Sequence, residues 1–380
     1  MTGSDWKRNI ILNAKNLIGW RTDRKIVVFS VDDYGNVRLD SKEARDNLDA
    51  DNITVKSPFA GFDMYDALET KEDLEALFEV LSSVKDLNGR NAVFTPFALP
   101  CNPNFEKMKE SDYQEYVYES LPLTFRKLSA INPGAYEGAW ELWEEGISQK
   151  LLMPQFHGRE HINLTTFESK IAKKECKLRS ILNNRSLART SSDGEKIVPI
   201  SEAFGFWDFE ENNRFKHIIA DGLNKFEEVF GYRAQNFAPP GYHAHPVLYD
   251  TLRKNGVRFV DAALISNQHQ GNGRYKKQFN YTGKIEKGLH KIVRNVVFEP
   301  TDDRGVDWPS YAIEQTEAAF RWNRPAIISS HRVNFSGHIN PQNREKGLAA
   351  LKKLLKEMTQ RWPDVEFMSA NELGKLIEAE

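Results

Sequence analysis

Several short apolar runs, each bounded by charged or polar residues, set the expected architecture. The clearest are Val27-Val28-Phe29-Ser30-Val31, Asn91 to Ala98, Leu151 to Phe156, and Ala326-Ile327-Ile328-Ser329-Ser330. Uninterrupted runs of this length read as strands buried on both faces. Asn236-Phe237-Ala238, Val257 to Val260 and Val293 to Phe298 look like further strands, and Pro96 is expected to end the pairing of the second one. Between the runs the period changes to that of a helix. Leu74, Leu77, Phe78 and Leu81 recur over 71–84, Trp140, Trp143 and Ile147 over 137–149, and Leu348, Leu351, Leu355 and Met358 after Asn340-Pro341.

Other helices are expected over 5–23, 40–50, 165–185 and 212–230, the last stopped by Gly231. Ser369-Ala370-Asn371-Glu372 has the form of a capping box. Residues 266–288 read as a long loop or hairpin, and 100–135 shows no clean period. Strand and helix alternate throughout, which predicts a parallel sheet or barrel with helices outside.

Composition narrows the function classes. The chain has 380 residues, 40% hydrophobic and 28% charged, with a net charge of −2. That balance gives no reason to expect nucleic acid or an anionic membrane as partner. The two cysteines, Cys101 and Cys176, are far apart and outside any CxxC pattern, so no disulfide framework is expected. The apolar run Ile10-Ile11-Leu12 is too short for a signal-peptide core, and no stretch approaches membrane length. A cytoplasmic protein is the expectation. An aromatic fraction of 11% suits a sugar-binding cleft and a large core equally.

Chemistry gathers where apolar runs end. The first run closes in Asp32-Asp33-Tyr34-Gly35. Alternation along a strand should turn the two carboxylates in different directions, and adjacent carboxylates at a buried strand end need compensating charge. His157 and His161 follow the third run with the spacing that puts two imidazoles on one side of a helical turn, a geometry used to hold a divalent metal. His331 follows the run 326–330 directly. An Asp with two His gives three ligands and open positions, the count of a catalytic metal. Each feature alone also has a plain structural reading: a polar strand end, a hydrogen-bonded histidine, a tight turn at Pro239-Pro240-Gly241-Tyr242.

Taken in order, these residues resemble the polysaccharide deacetylase family, the NodB-type carbohydrate esterases. Val31-Asp32-Asp33 matches its first motif, His157 to His161 its second, Ala238-Pro239-Pro240-Gly241-Tyr242 loosely its third, Asp307-Trp308 its fourth, and Ile327 to His331 its fifth. The resemblance implies a distorted (β/α) barrel of about seven parallel strands with helices outside, here one domain over 1–380 with its core at about 25–370. The long gaps between motifs imply insertions near 40–90, 100–135 and 186–210.

It implies that Asp33, His157 and His161 hold one divalent metal ion, zinc being the expected one. Asp32 would be the general base for the attacking water and His331 the general acid for the leaving group. Pro240, Gly241, Tyr242, Asp307, Trp308 and Arg159 would line the substrate site, with the Gly241 and Tyr242 backbone N–H groups near an oxyanion. The implied reaction removes an N- or O-acetyl group from a sugar or polysaccharide precursor. One departure stands out: Ala238 occupies the place of the family's arginine, which pairs with the base, and Arg159 or Arg332 is the expected substitute. Two rival readings remain. Ala238 admits a non-catalytic carbohydrate-binding protein on the same fold, and Asp32-Asp33-Tyr34-Gly35 also resembles YdjC-type sugar deacetylases, whose further ligand His243 or His245 would have to supply.

Overall fold

The computed structural model describes residues 3–53, 61–188 and 196–380. Residues 54–60 and 189–195, parts of two of the expected insertions, lie outside the described residues. The frame is a set of nine strands: β1 (Lys25–Tyr34), β2 (Phe94–Ala98), β3 (Gln155–Phe156), β4 (Asn236–Phe237), β5 (Phe259–Ala262), β6 (Leu289–Val293), β7 (Val296–Val297), β8 (Ala326–His331) and β9 (Val365–Met368). Their hydrogen-bonded order is β6-β5-β4-β3-β2-β1-β8-β7, every neighbour parallel, and β9 pairs with the first half of β1. β6 and β7 are successive stretches of one segment. The sheet therefore curls until its ends meet at Arg294-Asn295. With helices packed outside, this is a distorted (β/α) barrel.

β1 lies at the centre of the barrel, and before Asp32 only Ser30 interrupts its buried apolar run. Ile26 to Val31 are all buried, and Phe29 stacks on Phe94 of β2 with ring centroids 5.4 Å apart. Helix Lys71–Ser82, opened by the reciprocal cap of Thr70 and Asp73, buries Leu74, Leu77 and Leu81 against this layer. Each such side chain contributes roughly 1.5–3 kcal/mol when fully buried.

The chain departs from its sequence pattern at instructive places. Pro96 does not end the pairing: it sits inside β2 opposite Val31, and pairing continues to Ala98 on both flanks. The run 151–156 joins the ladder only at Gln155, although Leu152 bridges Phe94. The basic stretch 165–185 is two helices, Leu164–Ala172 and Cys176–Asn183, because Lys174 takes a positive φ of 54° between them. Residues Ile265–Gly271 and Arg274–Phe279 form a hairpin whose turn residues, Asn272 and Gly273, both have positive φ, as a two-residue turn of this hand requires. The aperiodic 100–135 stretch holds a small sheet of Cys101–Pro103 with Tyr118–Ser120 and the helices Phe105–Glu110 and Leu121–Ile131. β9, which the pattern did not suggest, is held at Phe367 by the Asp86 carboxylate. Among the described residues no helix is long and apolar enough to cross a membrane.

Candidate active site

The parallel register of β1 and β8 places Asp32 level with His331. One residue on, Asp33 adopts a φ of 72°, a left-handed conformation uncommon outside glycine although aspartate tolerates it better than most. Such strain costs of order 1–3 kcal/mol and persists only where the surroundings impose it. Here it does what strand alternation alone would leave approximate. It turns Asp33 toward His157 and His161 while Asp32 faces Arg294 and His331. Gly35 completes the turn at φ 76°, its N–H donating to Glu69; a Cβ there would meet the Leu99 carbonyl at 2.7 Å.

His157 and His161 do not lie on a helical turn. They sit in an irregular loop between β3 and the helix at Leu164, bent at Gly158, whose φ is 129°. The loop nevertheless brings both Nε2 atoms to 3.3 Å from the same oxygen, Oδ1 of Asp33. Nδ1 of His157 lies 2.7 Å from the Ala238 carbonyl. A carbonyl only accepts, so Nδ1 carries a proton, and Nε2 is the nitrogen turned toward the carboxylate. Burial would raise the Asp33 carboxyl, but the two histidines outweigh it and hold it well below the usual carboxylate range.

The base side of the site is built around an arginine the sequence did not disclose. Arg294, at the seam between β6 and β7, grips both oxygens of Asp32 at 2.7 Å and donates to Asp261 at 2.8 Å. Burial alone would raise the Asp32 carboxyl, yet Arg294, followed by His157 and His331, holds it below its ordinary value. Asp261 is less favoured: burial pushes it to about 6 despite Arg294, with Asp32 adding to the rise. The Arg294 guanidinium lies over the rings of Phe97 and Tyr242, at 5.0 and 5.5 Å. Arg294 thus stands where Arg159 or Arg332 was expected. Arg159 instead pairs with Glu160 and Asp221 and lies over Tyr118. Arg332 is buried against Asp66, Glu69 and the Asn36 carbonyl, tying the loop after β1 to the helix at Lys71.

His331 is oriented from behind by Glu299, whose Oε1 lies 2.8 Å from Nδ1, while Asn334 fixes the other Glu299 oxygen at 2.7 Å. Nε2 lies 3.9 Å from Asp32, and Phe62 packs edge-on against the ring. Burial would lower the pKa of His331, but Glu299 first, then Asp32 and Asp33, raise it to about 10. Glu299 follows the predicted strand 293–298 directly, so it carried the same strand-end signal as His331.

The expected substrate residues divide. Tyr242 abuts Arg294, and both it and Gly241 take positive φ in the turn Pro240–Tyr242. The Tyr242 N–H donates to the Pro239 carbonyl at 2.9 Å, so it is engaged within the turn and not presented to an oxyanion. Asp307 and Trp308 are a helix start. Asp307 caps Trp308–Arg321 through Ser310 and faces Lys353, and Trp308 is buried in the core. The carboxylate behind His331 is Glu299, not Asp307. His243 and His245 are likewise engaged away from Asp33. His243 meets Glu202 and His269, and His245 packs edge-on against Phe206 and Phe209 and accepts from the Val247 N–H.

The ligand atoms of Asp33, His157 and His161 all lie within 4.8 Å of one another, and two imidazoles with one carboxylate are the donor set of a catalytic divalent ion. The residues fit such an ion.

No family model matches the chain, and no curated protein does. Solved structures are similar to the chain at low identity. Among them are a probable polysaccharide deacetylase from Pseudomonas aeruginosa PAO1 (11% identity, 94% of this chain and 92% of that one, TM-score 0.46) and the PuuE allantoinase (13%, 95% and 92%, 0.43). A third is the α-amylase AmyC from Thermotoga maritima (12%, 93% and 74%, 0.45). Likenesses this distant leave the functional reading to the side chains.

Proposed function

We propose that the chain is a metal-dependent hydrolase that removes an acetyl group from an N- or O-acetylated sugar or polysaccharide precursor. One observation carries the reading: an ionised carboxylate, Asp32, and a protonated imidazole, His331, flank the Asp33, His157 and His161 set. The order of the strand-end motifs supports a carbohydrate as the substrate class. Asp33, His157 and His161 would hold the ion. Bound there, a divalent cation supplies a Lewis acid that polarises the acetyl carbonyl and acidifies water toward a pKa of ~7.

The chain's own residues do the rest. Asp32, kept ionised and fixed in orientation by the two-pronged grip of Arg294, takes the proton of the attacking water. His331 arrives protonated because Glu299 holds it so, and gives its proton to the departing nitrogen or oxygen. A positioned acid or base of this kind is worth roughly 10²–10⁴ in rate. Pro240, Gly241 and Tyr242 form the rigid corner beside the base, with the Gly241 N–H as the candidate donor to the developing oxyanion. We place the reaction in the cytoplasm, which suits the two separate free cysteines.

The non-catalytic alternative loses its motive, since Arg294 supplies the guanidinium missing at Ala238. The decisive experiment measures acetate released from an acetamido sugar and from an O-acetylated sugar by zinc-loaded protein, chelated protein and the Asp32→Asn variant. Release that needs zinc and falls at least about 10²-fold in the variant is expected. Equal release by all three, or by none, overturns the reading.

A further inference from the structure

Among the described residues a second triad has the donors of a metal site, Glu202, His243 and His269. It owes nothing to the strand ends. Glu202 comes from the loop before Phe204, His243 directly follows the Pro240–Tyr242 turn, and His269 lies on the first strand of the hairpin. Three segments distant in sequence have thus been brought to one point. Nε2 of His269 stands 3.1 Å from one oxygen of Glu202, and Nε2 of His243 stands 3.7 Å from the other. One oxygen of Glu202 and one nitrogen of each histidine lie within 4.8 Å of one another, close enough to share an ion.

A hydrogen-bonded cluster would explain only half of this. The His269–Glu202 contact is an ordinary hydrogen bond. His243 is too far from Glu202 to share in it. The rings of His243 and His269 cross at 81° with centroids 4.7 Å apart, so their nitrogens converge without stacking. Tyr275 and Phe206 wall the His269 ring.

We propose that Glu202, His243 and His269 form a second divalent-metal site, of zinc type, that pins the Ile265–Phe279 hairpin and the 196–210 loop to the corner beside the active site. Two imidazoles and a carboxylate suit zinc better than magnesium or calcium, which prefer all-oxygen shells. The hairpin already rests on that loop, with the Asn272 N–H donating to the Trp207 carbonyl. His243 is one residue from Tyr242, whose ring faces Arg294. A cavity of about 20 Å³, room for a single water, is lined by Tyr242, Asp261, His243 and His269. The ion's role is to fix the corner, and the site stands whether or not the first triad holds a metal.

The test counts zinc in the full-length chain, stripped by chelator, reloaded with Zn²⁺ and desalted. Two ions are expected in the native chain, one in Asp33→Asn, and none in Asp33→Asn combined with Glu202→Gln or with His243→Gln. The second double variant guards against misfolding of the first. In the Asp33→Asn background, Zn²⁺ should also slow proteolysis within the hairpin at least tenfold. No ion in Asp33→Asn, an ion that survives both double variants, or hairpin cleavage indifferent to Zn²⁺ overturns the second site. One ion in the native chain that persists in Asp33→Asn upholds it and overturns the first site instead, so the two readings fail separately.

Discussion

The two His₂-carboxylate clusters use the same three donors and are built in opposite ways. At Asp33 both imidazoles address a single carboxylate oxygen at equal distance, and the carboxylate sits on the central strand, one residue past its pairing with β8. At Glu202 the imidazoles address different oxygens at unequal distances, and all three ligands come from loops or a two-stranded hairpin. The first set hangs one ligand on the barrel's main-chain ladder and two on the loop that follows β3. The second hangs none on the ladder and is steadied by loop contacts such as the Asn163 amide on the Glu202 carbonyl. Pre-organised donors serve chemistry, because no reorganisation is needed at the moment of reaction. Donors that need their ion to hold position serve to fasten elements together.

The comparison can be broken from the catalytic side first. Asp32→Asn should lower kcat by roughly 10²–10⁴ while zinc content is unchanged. Loss of zinc together with activity would mean that Asp32 and Asp33 have been assigned each other's roles.

Arg294→Met comes next. It leaves Asp32 and Asp261 buried without their cation, so unfolding free energy in urea should drop by about 3–5 kcal/mol, as for other broken buried pairs. Surviving folded protein should lose activity further, because the base is no longer oriented. A drop below about 1 kcal/mol would show that the pair is solvated and that Arg294 is not what holds the base.

Glu299→Gln should act mainly through pH. Glu299 is the leading influence raising His331 to about 10, so the alkaline limb of kcat/KM should move to lower pH in the variant. Stability carries the same signature. A histidine whose folded pKa is raised contributes its full stabilisation below its ordinary pKa of ~6.5 and loses it as pH rises through about 10. The native chain should weaken over that window, and the variant should weaken less. An unmoved limb would remove His331 from the acid's role.

The smallest effect is expected at the second cluster. Glu202→Gln should lower kcat by roughly tenfold, the low end of what lost outer-shell support costs, with the fall traced to the corner beside Arg294. A loss as large as that of Asp32→Asn would erase the distinction between the two clusters.

The same distinction explains what was legible in the sequence. The residues at the ends of continuous apolar runs, Asp32, Asp33 and His331, could be picked out because a buried strand announces its own terminus. Asn340-Pro341, Gly231 and the Ser369–Glu372 box were legible because caps are local chemistry. Arg294 was not, since its partner lies 262 residues away and only barrel closure brings them together. Nor was the left-handed turn at Asp33: aspartate takes that conformation more readily than most residues, but nothing nearby marks Asp33 over Asp32 as the one that does. Asp307-Trp308 matched a motif by spelling while serving as a helix cap. Glu202 and His269 had no pattern at all, being neighbours only through loop packing.

The seam at Arg294-Asn295 has a kinetic consequence. Until the segment carrying β6 and β7 docks, Asp32 has no cation and the barrel has no closing strand, so charge neutralisation and ring closure are one event. Contacts spanning this much of the chain form late, after loop entropy has been overcome. In a refolding experiment the appearance of a competent base should therefore trail the burial of the Phe29–Phe94 layer and coincide with the final cooperative step. Recovered activity would then report on completion of the whole ring, with no partly assembled form able to turn over substrate ahead of it.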